Sequence, residues 1–326
     1  MLSPIVIDTD IGLDDAVALA LAASLAALDV VAVTTTYGNV DVDRATRNAQ
    51  EVARRFGVEA PVIAGAASPL MRAANKPRRV HGAEGLGYVM PSTAPEHEVD
   101  RAAACIVDLA RSYSSAGRPI TLCSLAPLTN LAKAVAIEPD LPRLLDPVFI
   151  MGGVVRVPGI QAREFNWWAD PEAADAVLRA GLDIRLVPLD VTRRIAIPGD
   201  AIDALSAAGA HDEDARFWSD LLRFYADGRR IRGQFDGCVV NDALAVALVA
   251  DPSLATWRTM RVAVSVGDGD TRGELQADAP GGALVRVAVD VRAEDVLALI
   301  GRALFTRWLD PDALRRGAAE AARWWK

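Results

Sequence analysis

The chain has 326 residues, 52% of them hydrophobic and 24% charged, with a formal net charge of −8. That length suits one large α/β domain or two small ones, and the apolar content excludes global disorder. The acidic balance argues against nucleic acid as a partner, because a phosphate backbone calls for dense Lys and Arg.

Ile5-Val6-Ile7 reads as a short buried strand, and Asp14-Asp15 open an Ala/Leu-rich helix expected to run to about Leu28. Val30 to Thr36 is a second β-branched run, Asp41 to about Phe56 a polar helix, and Pro61-Val62-Ile63 a third strand. This β-α-β-α-β order predicts a parallel sheet covered by helices. Helices are expected over Asp100–Ser115, Leu128–Ile137 and Pro171–Ala180, the last capped by Asp170. Strands are expected at Pro119–Leu125, Val148–Met151 and Ile184–Leu189. Further along, Asp212 to about Asp227, Asp242–Ala250 and Ala293–Leu304 read as helices, and Met260–Val266 and Leu284–Val291 as strands. No linker divides the chain, so one domain over residues 1–326 is expected. Gly65–Val99 and the Arg/Gly-rich Arg223–Val240 read as long loops, each either a pocket wall or a solvated surface.

Cys105, Cys123 and Cys238 are scattered without a Cys-x-x-Cys pair, so neither a disulfide framework nor a zinc site is expected. No secretory leader pattern is visible at the N-terminus. The longest apolar stretch, Ala16 to Leu28, is interrupted by Ser24 and too short for a bilayer. A cytoplasmic chain with no membrane partner is the expectation.

The densest chemistry is Asp8-Thr9-Asp10-Ile11-Gly12-Leu13-Asp14-Asp15, with four carboxylates just past a buried strand. In open α/β sheets, ligands bind outside the carboxyl ends of the strands. Two like charges ~5 Å apart at an effective dielectric of ~20 repel by about 3 kcal/mol. A divalent cation is the simplest remedy, and an all-oxygen set suits Ca²⁺ or Mg²⁺ better than zinc. Haloacid-dehalogenase-type phosphatases also begin with strand-Asp-x-Asp. Here Gly12 stands where those enzymes place Thr or Val, and no matching Lys and Asp-Asp elements follow. Other strand ends offer polar partners: Tyr37-Gly38-Asn39, Ser124 to Asn130, Met151-Gly152-Gly153, Glu164-Phe165-Asn166 and Asn241-Asp242.

Taken together, and with His81-Gly82 and Asp170-Pro171-Glu172-Ala173-Ala174, these motifs resemble the inosine-uridine-type nucleoside hydrolase family in order and spacing from residue 8 to residue 242. The resemblance implies a Rossmann-like open sheet, mostly parallel, with helices on both faces. It implies cleavage of the N-glycosidic bond of ribonucleosides to free base and ribose, with a bound Ca²⁺. By matching position, Asp10, Asp15 and Asp242 would ligate the metal through carboxylates and Leu125 through its carbonyl. Asp10 would also take a proton from the calcium-bound water. Asp14, Asn39, Glu164 and Asn166 would bind ribose hydroxyls, with Met151 and His81 also facing the substrate. A homodimer or homotetramer is the implied assembly.

The chain departs from the family pattern in its base-binding half. Asn241 stands at the leaving-group position, where many members carry a His, and Asn is no acid. Arg229 lies where a Tyr often meets the base, and is either a substrate contact or part of a solvated helix face. The stretch Arg156–Arg163 is one residue short, with Gly159-Ile160 where a ribose-binding Asn is common. Trp167, Trp168, Trp218 and Tyr225 are the available aromatics, with core packing the favoured role for each. His97 and His211 carry no supporting context and are expected at the surface, and Trp324 and Trp325 are open to packing on the body or on a partner subunit. Two other readings stand beside the hydrolase: a hydrolase of another ribosyl compound, such as a modified nucleoside, and a calcium-dependent ribose- or nucleoside-binding protein with little turnover.

Overall fold

The computed structural model describes residues 2–73, 79–91, 100–155 and 163–324. β1 (Ser3–Thr9), α1 (Leu13–Ser24), β2 (Leu28–Thr35), α2 (Val42–Arg55) and β3 (Val62–Ala64) form the opening β-α-β-α-β unit. It is followed by α3 (Ala102–Ser115), β4 (Ile120–Ser124), α4 (Thr129–Ile137), α5 (Leu141–Leu144) and β5 (Leu145–Met151). Next come α6 (Phe165–Ala169), α7 (Pro171–Arg179), β6 (Ile184–Val187), α8 (Leu189–Thr192), β7 (Ala196–Pro198) and α9 (Gly199–Ala208). The long α10 (Glu213–Ile231), β8 (Gly237–Val239) and α11 (Asn241–Ala250) precede β9 (Ala255–Val264), β10 (Leu275–Ala277) and β11 (Ala283–Val291). α12 (Ala293–Ile300) and α13 (Arg316–Trp324) close the described chain.

The main sheet has nine strands in the order β10-β9-β11-β6-β5-β4-β1-β2-β3. From β3 to β11 neighbouring strands pair in parallel, and β9 alone runs against its neighbours β11 and β10. The order 3-2-1-4-5-6 reverses between β1 and β4, and that reversal opens a crevice at the carboxyl ends of those strands. Side-chain alternation sends Ile5 and Ile7 to a core shared with α1, α11 and α12, and Val6 to a second core with α3, α4 and α7. Helices therefore cover both faces, as the near-continuous apolar strands require. Asp41 and Asp170 cap α2 and α7, their side chains accepting from Arg44 N–H and Ala173 N–H.

Several boundaries differ from the sequence expectation: β9 begins at Ala255 rather than Met260, β5 at Leu145 rather than Val148, β6 stops at Val187 with Leu189 in α8, α12 stops at Ile300, and α1 and α10 also differ. α1 stops at Ser24, and Leu28, expected at the helix end, pairs with Ser3 as the first residue of β2. α10 continues through Arg229 to Ile231, so the first half of the expected Arg223–Val240 loop is helix and Gly237–Val239 is strand. An interior Gly such as Gly228 costs a helix about 1 kcal/mol, which the apolar face of α10 offsets by packing on the core. Among the described residues no helix is long and apolar enough to cross a membrane.

Candidate active site

The acidic run of β1 lies at the crevice. Asp8 is fully buried and braced by Thr34 Oγ1 (2.7 Å) and Asn130 Nδ2 (2.7 Å). Burial pushes its carboxyl up to about 6. Asn130 spends its remaining capacity on Thr35 O and Ala66 N–H, so it fastens β2 and the segment after β3 to the centre. Asp10 sits beneath the crevice floor, accepting from Asn39 N–H (2.6 Å) and Asn39 Nδ2 (3.1 Å). The same Asn39 Nδ2 lies 3.3 Å from Asp15 Oδ2 and ties the two carboxylates together. Asp15 is also held by Thr9 Oγ1 (2.5 Å) and Gly12 N–H (2.8 Å).

Asp14 and Asp15 occupy the first turn of α1, and Asp242 the first turn of α11, which packs against α1. The two helix N-termini favour negative charge here. Carboxylate oxygens of Asp14, Asp15 and Asp242 lie within 4.8 Å of one another. Burial, with neighbouring carboxylates, holds Asp10 and Asp242 well above the ordinary range and raises Asp15. Oxygen-only donors gathered out of water match the chemistry of a hard divalent cation. The structure thus draws Asp14 into the trio with Asp15 and Asp242, with Asp10 joined to it through Asn39.

Above this floor lies a cavity of ≈ 630 Å³. Asp14, Asn39, Glu164, Asn166, Leu125 and Asp242 line its polar side. Glu164 caps α6, and its carboxylate accepts from the backbone N–H groups of Gly153, Asn166 and Trp167 at 2.8–3.1 Å. Burial raises it above the usual carboxylate range in spite of those bonds. Asn166 Nδ2 donates to the carbonyls of Leu125 (2.8 Å) and Met151 (3.3 Å), joining the ends of β4 and β5. His81 Nδ1 accepts from Leu13 N–H at 3.0 Å, which leaves the proton on Nε2. Arg47 and Asn48 clamp the His81 segment through Glu84 (both 2.6 Å), and Leu86 is fully buried, so residues 79–91 are an anchored wall.

Asn241 has both ends of its amide engaged. Nδ2 donates to Asp14 Oδ2 (3.0 Å), and Oδ1 accepts from Thr192 Oγ1 (2.8 Å). Arg229 does not line the cavity. It is buried behind Tyr225, its guanidinium 5.3 Å from the ring centroid. Trp167 and Trp218 are core residues as expected, whereas Trp168 and Tyr225 are cavity wall. His211 is exposed, while His97, Trp325 and the Gly159-Ile160 stretch lie outside the described residues. Sequence reasoning missed Arg193, which lines the cavity just past the short α8. The signal that finds it is its place after a strand's carboxyl end.

Gly38 has no room for a side chain: a Cβ there would lie 1.8 Å from Asp10 Oδ2. Asn39 holds that carboxylate, so it has little freedom to retreat. Gly38→Ala is expected to cost about 1–3 kcal/mol of stability. Urea unfolding of the variant beside the wild type measures the loss.

The chain matches the family model described as inosine-uridine preferring nucleoside hydrolase over residues 5–298. It is 35% identical over 258 residues to a pyrimidine-specific ribonucleoside hydrolase of Photobacterium profundum, covering 78% of this chain and 82% of that one. It is 33% identical over 296 residues to a non-specific ribonucleoside hydrolase of Escherichia coli, covering 88% and 93%. A plant nucleoside hydrolase superposes with a TM-score of 0.83 at 31% identity, covering 94% of this chain and 100% of that one. A purine-preferring ribonucleoside hydrolase from Gardnerella vaginalis gives 0.83 at 25%, covering 97% and 99%.

Proposed function

The chain belongs to the inosine-uridine preferring nucleoside hydrolase family and hydrolyses ribonucleosides to free base and ribose, and on that premise we propose which of its residues do the work. The family is metal-dependent, and the buried aspartates form a group able to hold a metal ion. We assign the metal as Ca²⁺, held by Asp10, Asp15, Asp242 and the Leu125 carbonyl, with Asp14 beside it. The observation that carries the reading is four buried aspartates, Asp10, Asp14, Asp15 and Asp242, gathered at the sheet's reversal at the floor of the cavity.

Bound calcium supplies positive charge that makes an attacking water more acidic and neutralises the aspartates. Asp10 takes that water's proton. Its two hydrogen bonds from Asn39 fix the carboxylate, and its burial raises its affinity for a proton, the direction a general base requires. Asp14, Asn39, Glu164 and Asn166 hold the ribose hydroxyls, and Asn241 orients Asp14. As the glycosidic bond lengthens, the sugar gains oxocarbenium character, and the negative cavity floor stabilises it electrostatically. Met151 and His81 border the sugar and base from the other walls.

A site built to bond a hydroxyl strongly penalises its absence. Removing the 2′-hydroxyl should lower kcat/KM by about 10⁴-fold, compared as uridine against 2′-deoxyuridine. Equal rates for the two would remove the ribose assignment. The experiment for the whole reading is ribose release from a ribonucleoside panel with Ca²⁺, run alongside Asp10→Asn.

We also carry forward a single catalytic domain, a cytoplasmic location and a homodimer or homotetramer. Three cysteines without a disulfide between them suit a reducing compartment. Trp324, 51% exposed on α13, is open to a second copy.

A further inference from the structure

Cleaving the glycosidic bond sends its electron pair to the base nitrogen. The polar side of the cavity is built from carboxylates and amides, which favour a cationic sugar and disfavour an anionic base. The departing base therefore needs positive charge on the far side. Asn241 lines the cavity but does not supply it, since its amide is neutral, with one N–H on Asp14 and its oxygen on Thr192. Tyr225 is neutral, and burial pushes its phenol up to about 12, so it keeps its proton. His81 has its Nδ1 committed to Leu13 N–H, 3.8 Å from Asp14 Oδ1, which leaves it only the Nε2 donor.

Arg163 and Arg193 both line the same cavity, and Arg193 is the one joined to Asn241 through its neighbour Thr192. It follows Thr192, whose hydroxyl holds Asn241, which in turn holds Asp14. Those bonds brace the backbone next to Arg193. α8 packs on α11, so the backbone carrying Arg193 is braced by the helix that carries Asp242. Desolvation lowers its pKa only to about 10, and the guanidinium remains charged at neutral pH.

We propose that Arg193 is the leaving-group residue, its guanidinium hydrogen-bonding the departing base as the C1′–N bond breaks. This rests on the ribonucleoside hydrolysis described above. The attacking water's oxygen bonds to C1′, and its proton goes to Asp10. The C1′–N electron pair goes to the ring nitrogen. The base leaves as an anion held by Arg193 and takes a proton from solvent after release. Arg193 gives up no proton, which a guanidinium at neutral pH does not do. Its contribution is charge and directed donors aimed where negative charge develops.

The test compares inosine with p-nitrophenyl β-D-ribofuranoside, whose nitro group absorbs the leaving charge without help. Arg193→Gln should lower kcat for inosine by about 10²–10³-fold. Its loss on the aryl riboside should be at least about tenfold smaller, the residue serving the leaving group alone. Arg193→Lys, which keeps the charge but not the fork, should recover part of the inosine loss. Equal losses on both substrates, or a change in KM alone, would overturn the proposal. Asp10→Asn run in parallel should lose both substrates by the same factor. If the wild type released ribose from neither, the hydrolase reading itself would fall, and Arg193 with it.

Discussion

Asp10→Asn lowers kcat for ribose release by about 10²–10⁴-fold, the span expected for losing a positioned general base. Asn is close to isosteric and retains one oxygen for the Asn39 backbone N–H, giving up only the bond from Asn39 Nδ2. The same change removes one negative charge from a buried set that repels itself. Asp10 is disfavoured as an anion by burial and by Asp15 and Asp14. In the presence of chelator, the variant should therefore unfold at a higher temperature than the wild type while being far less active. Stability and activity moving in opposite directions is a signature that a merely damaged fold does not produce. Thermal unfolding in EGTA and steady-state ribose release are the paired measurements.

Removing calcium is the second large effect. EGTA should abolish ribose release, and Ca²⁺ at 100-fold over its Kd should return about 2.7 kcal/mol of stability. The pH dependence of the chelated protein carries the same information. Asp10, Asp15 and Asp242 are all raised in the fold by burial and like charge, and Asp8 stands at about 6 against an ordinary 3.8. In this window the folded state binds more protons than the unfolded state. The stability these groups contribute is present below their unfolded pKa and is lost as pH rises through the folded values. The chelated protein should thus be more stable at pH 5 than at pH 8. Calcium competes with those protons, so adding it should stabilise the protein far more at pH 8 than at pH 5. Urea unfolding at both pH values, with and without Ca²⁺, checks the sign.

The acidic run was legible because its chemistry is local. Four carboxylates crowd the end of one apolar strand, and the strand's burial on both faces shows in the sequence as an unbroken Ile-Val-Ile. The cap Asp170 was legible for the same reason, acting on a backbone N–H three residues on. Arg193 was not, because α8 is four residues long and shows no helical period, and the contact that holds its neighbour joins Thr192 to Asn241 across 49 residues. Arg229 misled in the opposite direction. An Arg/Gly-rich run reads as loop, yet α10 continues through it and turns Arg229 in behind Tyr225. Trp168 and Tyr225 look like core residues by composition, and only the placement of α6 and α10 brings them to the cavity. Asp14 was expected on the sugar, and its closeness to Asp15 and Asp242 depends on α1 meeting α11, a contact between helices more than 200 residues apart in sequence.

The central claim is that these aspartates hold a calcium ion on which hydrolysis depends. Its most direct test is ribose release from inosine and uridine, measured while Ca²⁺ is titrated into chelated protein. Activity should rise from background and saturate at one ion per chain. Ribose release at full rate in excess EGTA, unchanged by added Ca²⁺, would contradict the account.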